Sequence, residues 1–413
     1  MMAVLLSALA GEPNLAFVAV PLVTFFILAR LTSHSPHLNV GVERWWEEER
    51  LYEDDIRTYS VVIRNEGGPI DMVEAVDALP PGAVIKAGSN RAYASLGSGQ
   101  EMEIRYSASW PAFGRFSVGP VRVRATDTFG FFAEEKTLED RAGLVVFPKL
   151  QLLEHLELGL RLAKHWPGEI ISQKTGQGTE FFSIRPYAPG DLPRNINWRA
   201  TARSAGLETN QYMKELGGEV MIVLDARAST EIGPPPRTLL RYSIEAAASS
   251  AYSLLRDRDR VGLLAVGESL VKAQPGFGRR HYDRILHALM GVEGGSMWEM
   301  KHLPQYLRLL YPRVNQLVVV SPLTDEGVFS SMVELASEGY AMTLLSPSPF
   351  ELEKETLKGG RVEEAAEGLA RMARRSRLEA LSRHVTVIDW DVRKPLGQSL
   401  SEGVMAWRRR QGR

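Results

Sequence analysis

The residues with the most distinctive chemistry lie in a segment rich in arginine and aromatic residues near the middle of the chain. Between residues 185 and 203, four arginines surround one aspartate, one tyrosine and one tryptophan. Guanidinium groups bind carboxylates and other anions through paired hydrogen bonds, so this segment could recognise an anion or an acidic partner. The same composition also suits a structural clasp in which Asp191 pairs with an arginine and Trp198 packs between domains. The residues concerned are Arg185, Tyr187, Gly190, Asp191, Arg194, Trp198 and Arg203.

The local sequence also predicts how this segment turns. Residues 188–191 read Ala-Pro-Gly-Asp, which suits a type II turn because proline presets φ at its second position and glycine supplies the positive φ at its third. Asp191 would then stand where its carboxylate could cap a short helix that ends near Gly206.

A second group of polar residues follows a predicted buried strand. The run at 220–225 is apolar and ends in Asp225, after which come Arg227 and Ser229. In open sheets of parallel strands, ligands bind beyond the carboxyl ends of the strands. We therefore expect Asp225 to lie at the edge of the sheet where a binding site would be. Asp325 follows another predicted strand and is a second acid near such an end.

Several catalytic motifs are missing from the sequence. No Gly-x-Gly-x-x-Gly opens a helix in the second half of the chain, and no Walker-type phosphate loop occurs. The eight histidines form no His-Glu-x-x-His motif, and there is no Gly-x-Ser-x-Gly elbow. The chain has no cysteine, which excludes disulfides, thiolate metal sites and a cysteine nucleophile. These features predict a protein that is not an enzyme and that needs no cofactor.

Length and composition allow two or three globular domains. The 413 residues are 44% hydrophobic and 24% charged, which is typical of globular domains and not of disordered or multi-spanning membrane chains. Lys and Arg number 49 and Asp and Glu number 50, so the formal net charge is −1. A chain with this balance has no overall attraction for nucleic acid, and we expect no nucleic-acid partner.

One segment differs from the rest in its composition. Within an N-terminal region at 1–34, residues 15–29 are apolar and uncharged. We expect one membrane anchor at about residues 15–31, although the run is shorter than the ~20 residues of a typical span. A short hairpin with residues 1–10 as its first pass, a cleaved signal peptide and a buried soluble helix stay open as alternatives. Basic residues after the run favour a cell-membrane protein whose body is cytoplasmic.

The remaining patterns predict a multidomain chain. Short β-branched runs between turn residues predict an all-β sandwich of about seven strands at 38–148. The arginine-rich segment occupies 149–218. Apolar strands that alternate with helices predict a mostly parallel, doubly wound α/β domain at 219–393, and a C-terminal helix with a basic tail follows at 394–413. A long helix at 362–381 should pack one apolar face. That face comprises Val362, Ala366, Leu369, Met372 and Ala373.

The arginine-rich segment resembles the signature of the domain-of-unknown-function 58 family. That signature runs Arg-x-Tyr-x-Pro-Gly-Asp, then Arg-x-Ile-x-Trp, then Ala-Arg, and it is found here between residues 185 and 203. Upstream runs at 114–121 and 127–131 look like the preceding β-module of the family. With the N-terminal apolar segment and the α/β body, the resemblance extends over nearly the whole chain. The matching residues are Arg185, Tyr187, Pro189, Gly190, Asp191, Arg194, Ile196, Trp198, Ala202 and Arg203.

The resemblance implies that the α/β body is similar to a von Willebrand factor A domain. Such domains often bind Mg²⁺ through Asp-x-Ser-x-Ser, a later threonine and a later aspartate. Here the first element contains Asp225, Arg227 and Ser229, so an arginine takes the place of the middle serine. The threonine position falls near Ser296, and the position of the later aspartate holds Pro322.

This departure changes the chemistry that we expect at the sheet edge. Mg²⁺ requires hard oxygen ligands at ~2.0–2.1 Å in a near-octahedral shell. Arg227 would place a fixed positive charge where the ion would lie. We therefore expect a degenerate site in which Arg227 pairs with Asp225 and replaces the metal, and Mg²⁺ binding stays open as the alternative. Asp325 lies beyond the expected position and out of register.

Members of the family resemble accessory proteins of MoxR-type AAA+ ATPases. The resemblance implies a membrane-anchored, non-catalytic adaptor whose α/β body docks to the ATPase or to a client protein during assembly or remodelling of complexes. Two alternatives stay open. One is an outward-facing adhesion or envelope-binding protein, and the other is a metal-dependent hydrolase that uses Asp225 and Asp325.

Overall fold

The chain divides into two compact units, Met1–Lys149 and Leu150–Arg413. The structure is a computed structural model, and it describes residues 13–32, 36–46, 50–153, 181–189, 191–204, 206–212, 219–312, 314, 316–356 and 360–410. The first unit is rich in β-strands, and the second contains a mixed sheet with helices. Each unit has a hydrophobic core of its own.

One helix, α1 (Pro13–Thr32), begins the described part of the chain. Among the described residues, no helix is both long enough and apolar enough to cross a membrane. The prediction of a membrane anchor at residues 15–31 is therefore wrong. The charge-free run at 15–29 falls short of the ~20 residues that a span requires. The alternative first pass at residues 1–10 lies outside the described residues.

Aromatic residues at the end of α1 contact the β-rich unit. The Phe25 ring packs edge-on against Phe129, with 5.7 Å between ring centroids. Phe26 contacts Phe131 in the same manner at 5.1 Å. These contacts give part of the apolar run a protein environment, which the sequence pattern alone did not indicate.

The strands of the first unit form three sheets. Two sheets have four strands each, in the orders β1-β3-β7-β5 and β10-β9-β4-β6, and the third has the order β2-β11-β8. The sequence predicted a sandwich of about seven strands, and the structure has more because several runs are split by turns. The strands are β1 (Val40–Trp46), β2 (Leu51–Tyr52), β3 (Ile56–Asn65), β4 (Ile70–Asp77), β5 (Val84–Gly88), β6 (Arg91–Leu96), β7 (Glu101–Ser109), β8 (Gly114–Val118), β9 (Val121–Thr126), β10 (Ala133–Leu138) and β11 (Ala142–Phe147).

A buried ion pair lies inside this β-rich unit. Arg44 donates two hydrogen bonds to Asp77, at 2.6 and 2.8 Å, and a third to Asp140 at 3.0 Å. The Tyr106 hydroxyl donates to the same Asp77 carboxylate at 2.6 Å. Burial raises the pKa of the neighbouring Tyr59 to about 12, so this phenol is neutral throughout the physiological range. The charges compensate each other, as a buried ion pair requires.

The arginine-rich segment forms a hairpin with an elaborate connection. Strand β12 (Phe181–Pro186) pairs antiparallel with β13 (Glu208–Tyr212). Between them lie a short 3₁₀ turn at Pro193–Asn195 and the one-turn helix α2 (Trp198–Thr201). We call residues 187–207 the signature loop.

The second unit is built on a six-stranded sheet. Its order is β16-β15-β14-β17-β18-β19, and every neighbouring pair is parallel except β15 and β16. The sheet is therefore mixed, with an antiparallel edge strand. The strands are β14 (Glu219–Asp225), β15 (Arg260–Val266), β16 (Leu270–Gly276), β17 (Gln316–Val320), β18 (Ala341–Pro347) and β19 (Thr386–Trp390).

The chain runs outward from β14 in both directions, first through β15 and β16 and then through β17 to β19. The order thus reverses between β14 and β17, which is the topological switch point of the sheet. The helices of this unit are α3 (Leu239–Arg256), α4 (Arg279–Leu289), α5 (Leu303–Leu310), α6 (Glu326–Ser337), α7 (Phe350–Thr356), α8 (Arg361–Leu381) and α9 (Leu396–Arg410).

Helix α3 is buried on several sides and is rich in alanine and serine. The Ser249 hydroxyl accepts the backbone N–H of Gln151 at 3.0 Å, and that of Ser253 accepts the N–H of Leu153 at 3.3 Å. The Gln151 side chain in turn accepts the N–H of Leu396 at 2.7 Å. Residues 151–153 are thus held against α3 by two serine hydroxyls and to the start of α9 by the side-chain amide of Gln151.

Helix α8 does not bury the face that its sequence pattern predicted. Leu369 is 69% exposed and Met372 is 71% exposed, whereas Leu378 and Leu381 are buried. The opposite face is held to the body by Arg374, whose guanidinium donates to the carbonyls of Pro322 and Ser346. The apolar periodicity was correct for a helix, but hydrogen bonds of a buried arginine determine which face lies inward.

Candidate functional site

The signature loop begins with a turn that is closed by an ion pair. Arg185 Nη2 lies 2.6 Å from Asp191 Oδ1. The second carboxylate oxygen of Asp191 accepts the backbone N–H of Ala188 at 2.9 Å. The hydrogen bond from Arg185, together with that from Ala188, lowers the pKa of Asp191 below its usual range. This carboxylate is therefore charged at neutral pH and fixes the turn.

The expected helix cap by Asp191 is not what the structure shows. The carboxylate turns back into its own turn, and the helix that follows has only four residues. Its cap is Asn197, whose side-chain oxygen accepts the N–H of Ala200 at 3.0 Å. The side-chain amide of Asn197 also donates to Asn210 on β13 at 2.8 Å. Gly190, which was expected in the turn, lies outside the described residues.

Trp198 is held out into solvent by a backbone that is firmly tied to β13. The N–H of Asn197 donates to the carbonyl of Glu208 at 2.8 Å, and the hydroxyl of Thr201 accepts the N–H of Glu208 at 3.0 Å. The Trp198 side chain itself is 67% exposed. Trp198 is therefore not buried, whereas the interpretation of the segment as a structural clasp had expected it to be. A large rigid aromatic group stands on the surface at a fixed position.

Arginines surround this tryptophan on the same loop. Arg194, Arg199 and Arg203 are exposed, whereas Arg185 is committed to Asp191. Tyr187 is half-buried, and its N–H donates to the carbonyl of Leu207 at 2.8 Å. Trp, Arg and Tyr are the residue types that dominate binding energy at protein interfaces. The signature loop therefore offers one aromatic anchor within a positively charged rim.

The second site lies at the switch point of the sheet. Asp225, at the carboxyl end of β14, has no solvent exposure. Arg227 donates to both of its carboxylate oxygens, from Nε at 2.8 Å and from Nη2 at 2.9 Å. The Ser321 hydroxyl donates to the same carboxylate at 2.8 Å. Asp225 is thus fully satisfied by a cation and a hydroxyl of this chain.

Asp325 reaches the same arginine from the other side. Its Oδ2 lies 2.6 Å from Arg227 Nη1, and its Oδ1 caps α6 by accepting the N–H of Val328 at 3.1 Å. Burial alone would raise the pKa of Asp325, but the N–H of Val328 and the charge of Arg227 outweigh it and lower that pKa. Burial alone would lower the pKa of Arg227, and the two aspartates raise it instead. Arg227 and Asp325 are both ionised at neutral pH.

Two glycines bring Ser296 to this site. Arg227 forms a parallel β-bridge with Gly295, and the N–H of Ala228 donates to the Gly295 carbonyl at 3.0 Å. A Cβ at Gly294 would lie 2.3 Å from the Glu231 side chain. The loop can approach so closely only because these residues have no side chain. A cavity of about 300 Å³ lies beside this loop. It is lined by Arg227, Ser229, Ser296, Trp298, Glu299, Lys301, Asp325 and Gly327. We call it the Arg227 site.

The arrangement of these groups does not fit a divalent cation. The two carboxylates that would have to coordinate it, those of Asp225 and Asp325, both bind the guanidinium of Arg227. A metal ion and this guanidinium would compete for the same oxygens and repel each other. In the described ranges no cluster of three or more His, Asp or Glu side chains could hold a metal ion. We therefore derive no metal chemistry at the Arg227 site.

Sequence counting misplaced Asp325 and missed two arginines that support this site. Asp325 was expected to be out of register, but the loop after β17 places Leu323 at φ +56°, and this left-handed residue redirects the chain so that Asp325 faces Arg227. The same loop is held by α8. Arg374 donates a hydrogen bond to the carbonyl of Pro322 at 3.2 Å, and Arg377 donates one to the carbonyl of Leu323 at 3.0 Å. No local sequence motif predicts that two arginines of α8, a helix distant in sequence, support this loop.

Comparisons with known proteins agree with the resemblance in part of the chain. A family model described as "Protein of unknown function DUF58" matches residues 183–345. That range contains both the signature loop and the Arg227 site. The membership that the signature suggested is therefore supported over this range, and the family description assigns no activity.

Relatives and solved structures add little about function. Uncharacterized proteins of Mycobacterium tuberculosis and Mycobacterium bovis are each 27% identical to this chain over 123 residues, which is 30% of this chain and 39% of theirs. This chain thus matches well under half the length of those relatives. A FixG-related protein from Vibrio parahaemolyticus has a TM-score of 0.19 at 10% identity and covers 26% of this chain and 95% of its own. The major pilin subunit of Bacillus cereus has a TM-score of 0.20 at 11% identity, with coverage of 27% and 41%.

Proposed function

We propose that the protein is a non-enzymatic adaptor that binds another protein through the signature loop and works with a MoxR-type AAA+ ATPase. In this proposal the α/β unit serves as a domain similar to a von Willebrand factor A domain, and the complex assembles or remodels other proteins. The observation that carries the proposal is Trp198, which is 67% exposed on a backbone tied to β13.

Exposure of this side chain has a cost that a binding role explains. A tryptophan in water leaves apolar surface unburied, and burying such a side chain is worth a few kcal/mol. Here the surrounding hydrogen bonds hold the backbone in place, so little conformational entropy would be lost when a partner covers the ring. The exposed Arg194, Arg199 and Arg203 add charge around it. The expected partner surface is an apolar pocket with an acidic rim.

The non-catalytic part of the proposal is supported by the Arg227 site. A hydrolase would need a carboxylate or a metal that can reach a substrate or a water molecule. Asp225 is buried and bound by Arg227 and Ser321, and Asp325 is bound by Arg227 and caps a helix. Neither acid is therefore poised as a general base. The paired charges leave a surface that can contact a protein without transforming it.

The experiment is affinity recovery of the tagged full-length chain from its own cells after mild cross-linking. We expect an AAA+ ATPase, identified by mass spectrometry, to be recovered with the unaltered chain. Trp198→Ala should reduce that recovery at least tenfold, because truncation of an interface anchor typically costs 2 kcal/mol or more, roughly. Arg199→Ala together with Arg203→Ala should reduce the recovery more at low salt than at high salt, because salt screens the attraction between exposed charges.

The matched control is Trp45→Ala. Trp45 is 63% exposed on β1, so it offers a ring of equal size and similar exposure in the other unit. Recovery of the ATPase should not change with this control. Equal recovery with Trp198→Ala and with the unaltered chain would refute docking through the signature loop. Absence of any AAA+ ATPase from the cross-linked material would refute the partnership.

A further inference from the structure

The outward face of α8 carries a mostly apolar stripe that no described part of the chain covers. Residues 365, 369, 372 and 376 recur with the spacing of a helix face, and they lie opposite the buried Arg374, Leu378 and Leu381. Leu369 is 69% exposed and Met372 is 71% exposed. We call Ala365, Leu369, Met372 and Ser376 the α8 stripe.

Small residues beside the stripe would let another helix come close. Ala366, Gly368 and Ala373 are all exposed next to Leu369 and Met372. Helices pack most closely where small residues form a groove and larger ones fill it. The surface therefore offers both components, two large side chains and the shallow depressions that could receive them. A surface of this kind can pack against a copy of itself.

The charges beside the stripe are arranged with opposite signs at its two ends. Glu364 and Arg375 are both exposed on the same flank, about three helical turns apart. Arg375 binds Glu379 on its own helix at 2.8 Å, but its side chain is still 81% exposed. An acidic end and a basic end on one flank are complementary to the same flank of a helix that runs in the opposite direction.

We propose that the α8 stripe is a self-association surface and that a second copy of this chain packs its own α8 against it in the antiparallel direction. A two-fold axis near residues 370–371 would set each Leu369 against Met372 of the other copy. It would also bring each Glu364 within one helical turn of Arg375 of the other copy. A parallel two-fold arrangement would instead place this flank of the two helices on opposite sides of the contact, so that Glu364 would not meet Arg375, and it would align the helix dipoles unfavourably.

The contact is that of a weak, reversible dimer. One pair of helices buries less surface than the 1,200–2,000 Å² or so of a stable interface. Antiparallel contact between the same patches gives an isologous interface, which closes at two copies and does not form filaments. The inference is independent of the proposed adaptor role, because it uses neither the signature loop nor the Arg227 site.

Sedimentation of the full chain across a concentration series tests the surface itself. The unaltered chain should form a dimer as the concentration rises toward about 100 µM. Leu369→Arg should weaken dimerisation at least tenfold. Leu309→Arg is the matched control, since Leu309 is 82% exposed on α5, and it should leave dimerisation unchanged. A chain that is monomeric at the highest concentration, or a control that acts like Leu369→Arg, would overturn the proposal.

A charge exchange tests the antiparallel direction. Glu364→Arg and Arg375→Glu should each weaken the dimer several-fold, because each places like charges beside one another across the interface. The two substitutions together should restore the affinity of the unaltered chain. If the double variant is weaker than both single variants, the pairing is not antiparallel and the proposed geometry is wrong.

Cross-linking locates the axis, because the chain has no native cysteine. Leu369→Cys lies close to the proposed axis and should give a disulfide-linked dimer under mild oxidation, within reach of the 4.4–6.8 Å or so between Cα atoms that a disulfide needs. Leu309→Cys, equally exposed and far from the stripe in sequence, should stay monomeric under the same conditions. Both variants should first be shown to melt at the temperature of the unaltered chain. Equal cross-linking of the two would overturn the proposal.

Discussion

Among single residues, Arg227 has the largest influence on the electrostatics at the carboxyl end of β14. It joins the buried Asp225 to the helix cap Asp325, so that two carboxylates share one guanidinium. The resulting group of three charges is compact and hydrogen-bonded. A site that could have attracted a cation is therefore occupied by a side chain of the protein itself.

Removal of Arg227 should destabilise the α/β unit strongly. Arg227→Met leaves Asp225 buried with two neutral donors among the described contacts, the Ser321 hydroxyl at 2.8 Å and the backbone N–H of residue 227 at 3.4 Å. Breaking a buried ion pair by removing one partner costs about 3–5 kcal/mol. Urea unfolding should show this loss, whereas Arg375→Met, which breaks an exposed pair, should cost less than ~1 kcal/mol. Similar losses for the two variants would contradict the role assigned to Arg227.

The contribution of Asp325 should depend on pH in a defined direction. Its pKa is lowered in the folded protein, so its charge stabilises the fold above the unfolded value of about 3.9. This stabilisation is lost as the pH falls through the lower, folded pKa. Asp325→Asn should therefore lower the unfolding free energy at pH 7 by about 1 kcal/mol, because the charge beside Arg227 and at the N-terminus of α6 is lost, although asparagine caps a helix about as well as aspartate. The difference between the two proteins should shrink below about pH 4.

The same substitution in an Arg227→Met background provides the control. Without the guanidinium, the carboxylate keeps only its backbone donors, so Asp325→Asn should cost less at pH 7 and depend less on pH. Urea unfolding at several pH values would give the unfolding free energies of the four proteins needed, namely the unaltered chain, the two single variants and the double variant. A pH dependence that is the same in both backgrounds would show that Arg227 does not set it.

Among the structural elements, the fully apolar strands were the most predictable. Runs such as 220–225 and 316–320 admit few conformations other than a buried strand flanked by helices, and β14 and β17 occupy those positions. Helix faces were less predictable. In α8 the inward face is determined by Arg374 and its hydrogen bonds to distant carbonyls, which no local pattern encodes.

The candidate site was predictable where it depends on local sequence. Asp225, Arg227 and Ser229 follow one strand, and their proximity needs only that strand to end where it does. Asp325 was not predictable by counting, because the left-handed Leu323 changes the direction of its loop. The error at residues 15–31 arose because an apolar run predicts a hydrophobic helix without establishing that the helix is long and apolar enough to cross a membrane.

Helix α3 should lose stability if its contact with residues 151–153 is broken. Ser253→Ala removes the acceptor for the buried N–H of Leu153, and an unsatisfied buried donor costs about 1–3 kcal/mol. The better helix propensity of alanine offsets roughly 0.5 kcal/mol of this. Hydrogen exchange at the Leu153 amide should accelerate, and the unfolding free energy should fall.

The control for this prediction is Ser330→Ala on α6, at an exposed position. It changes the same side chain without touching residues 151–153, so its unfolding free energy should stay within about 0.5 kcal/mol of the unaltered protein. Unchanged exchange at Leu153 in the Ser253→Ala variant would show that the hydroxyl does not hold this segment.

For the whole molecule, the important feature is that, among the described residues, each of the two units has a hydrophobic core of its own. The core of the first unit centres on residues such as Tyr59, Ile63 and Val121, and that of the second on residues such as Val223, Leu303 and Val319. Each unit also contains its own buried ion pair, Arg44 with Asp77 in the first and Arg227 with Asp225 in the second. Units with independent cores usually unfold as separate cooperative transitions.

Calorimetry of the full chain should therefore resolve two unfolding transitions that respond to different substitutions. Asp77→Ala leaves the buried Arg44 without its bidentate partner and should lower one transition, by an amount that corresponds to about 3–5 kcal/mol. Arg227→Met should lower the other transition and leave the first in place. In the double variant the two effects should add, because sites that share no partners are energetically independent. A single transition that both substitutions lower equally would show that the two cores unfold as one.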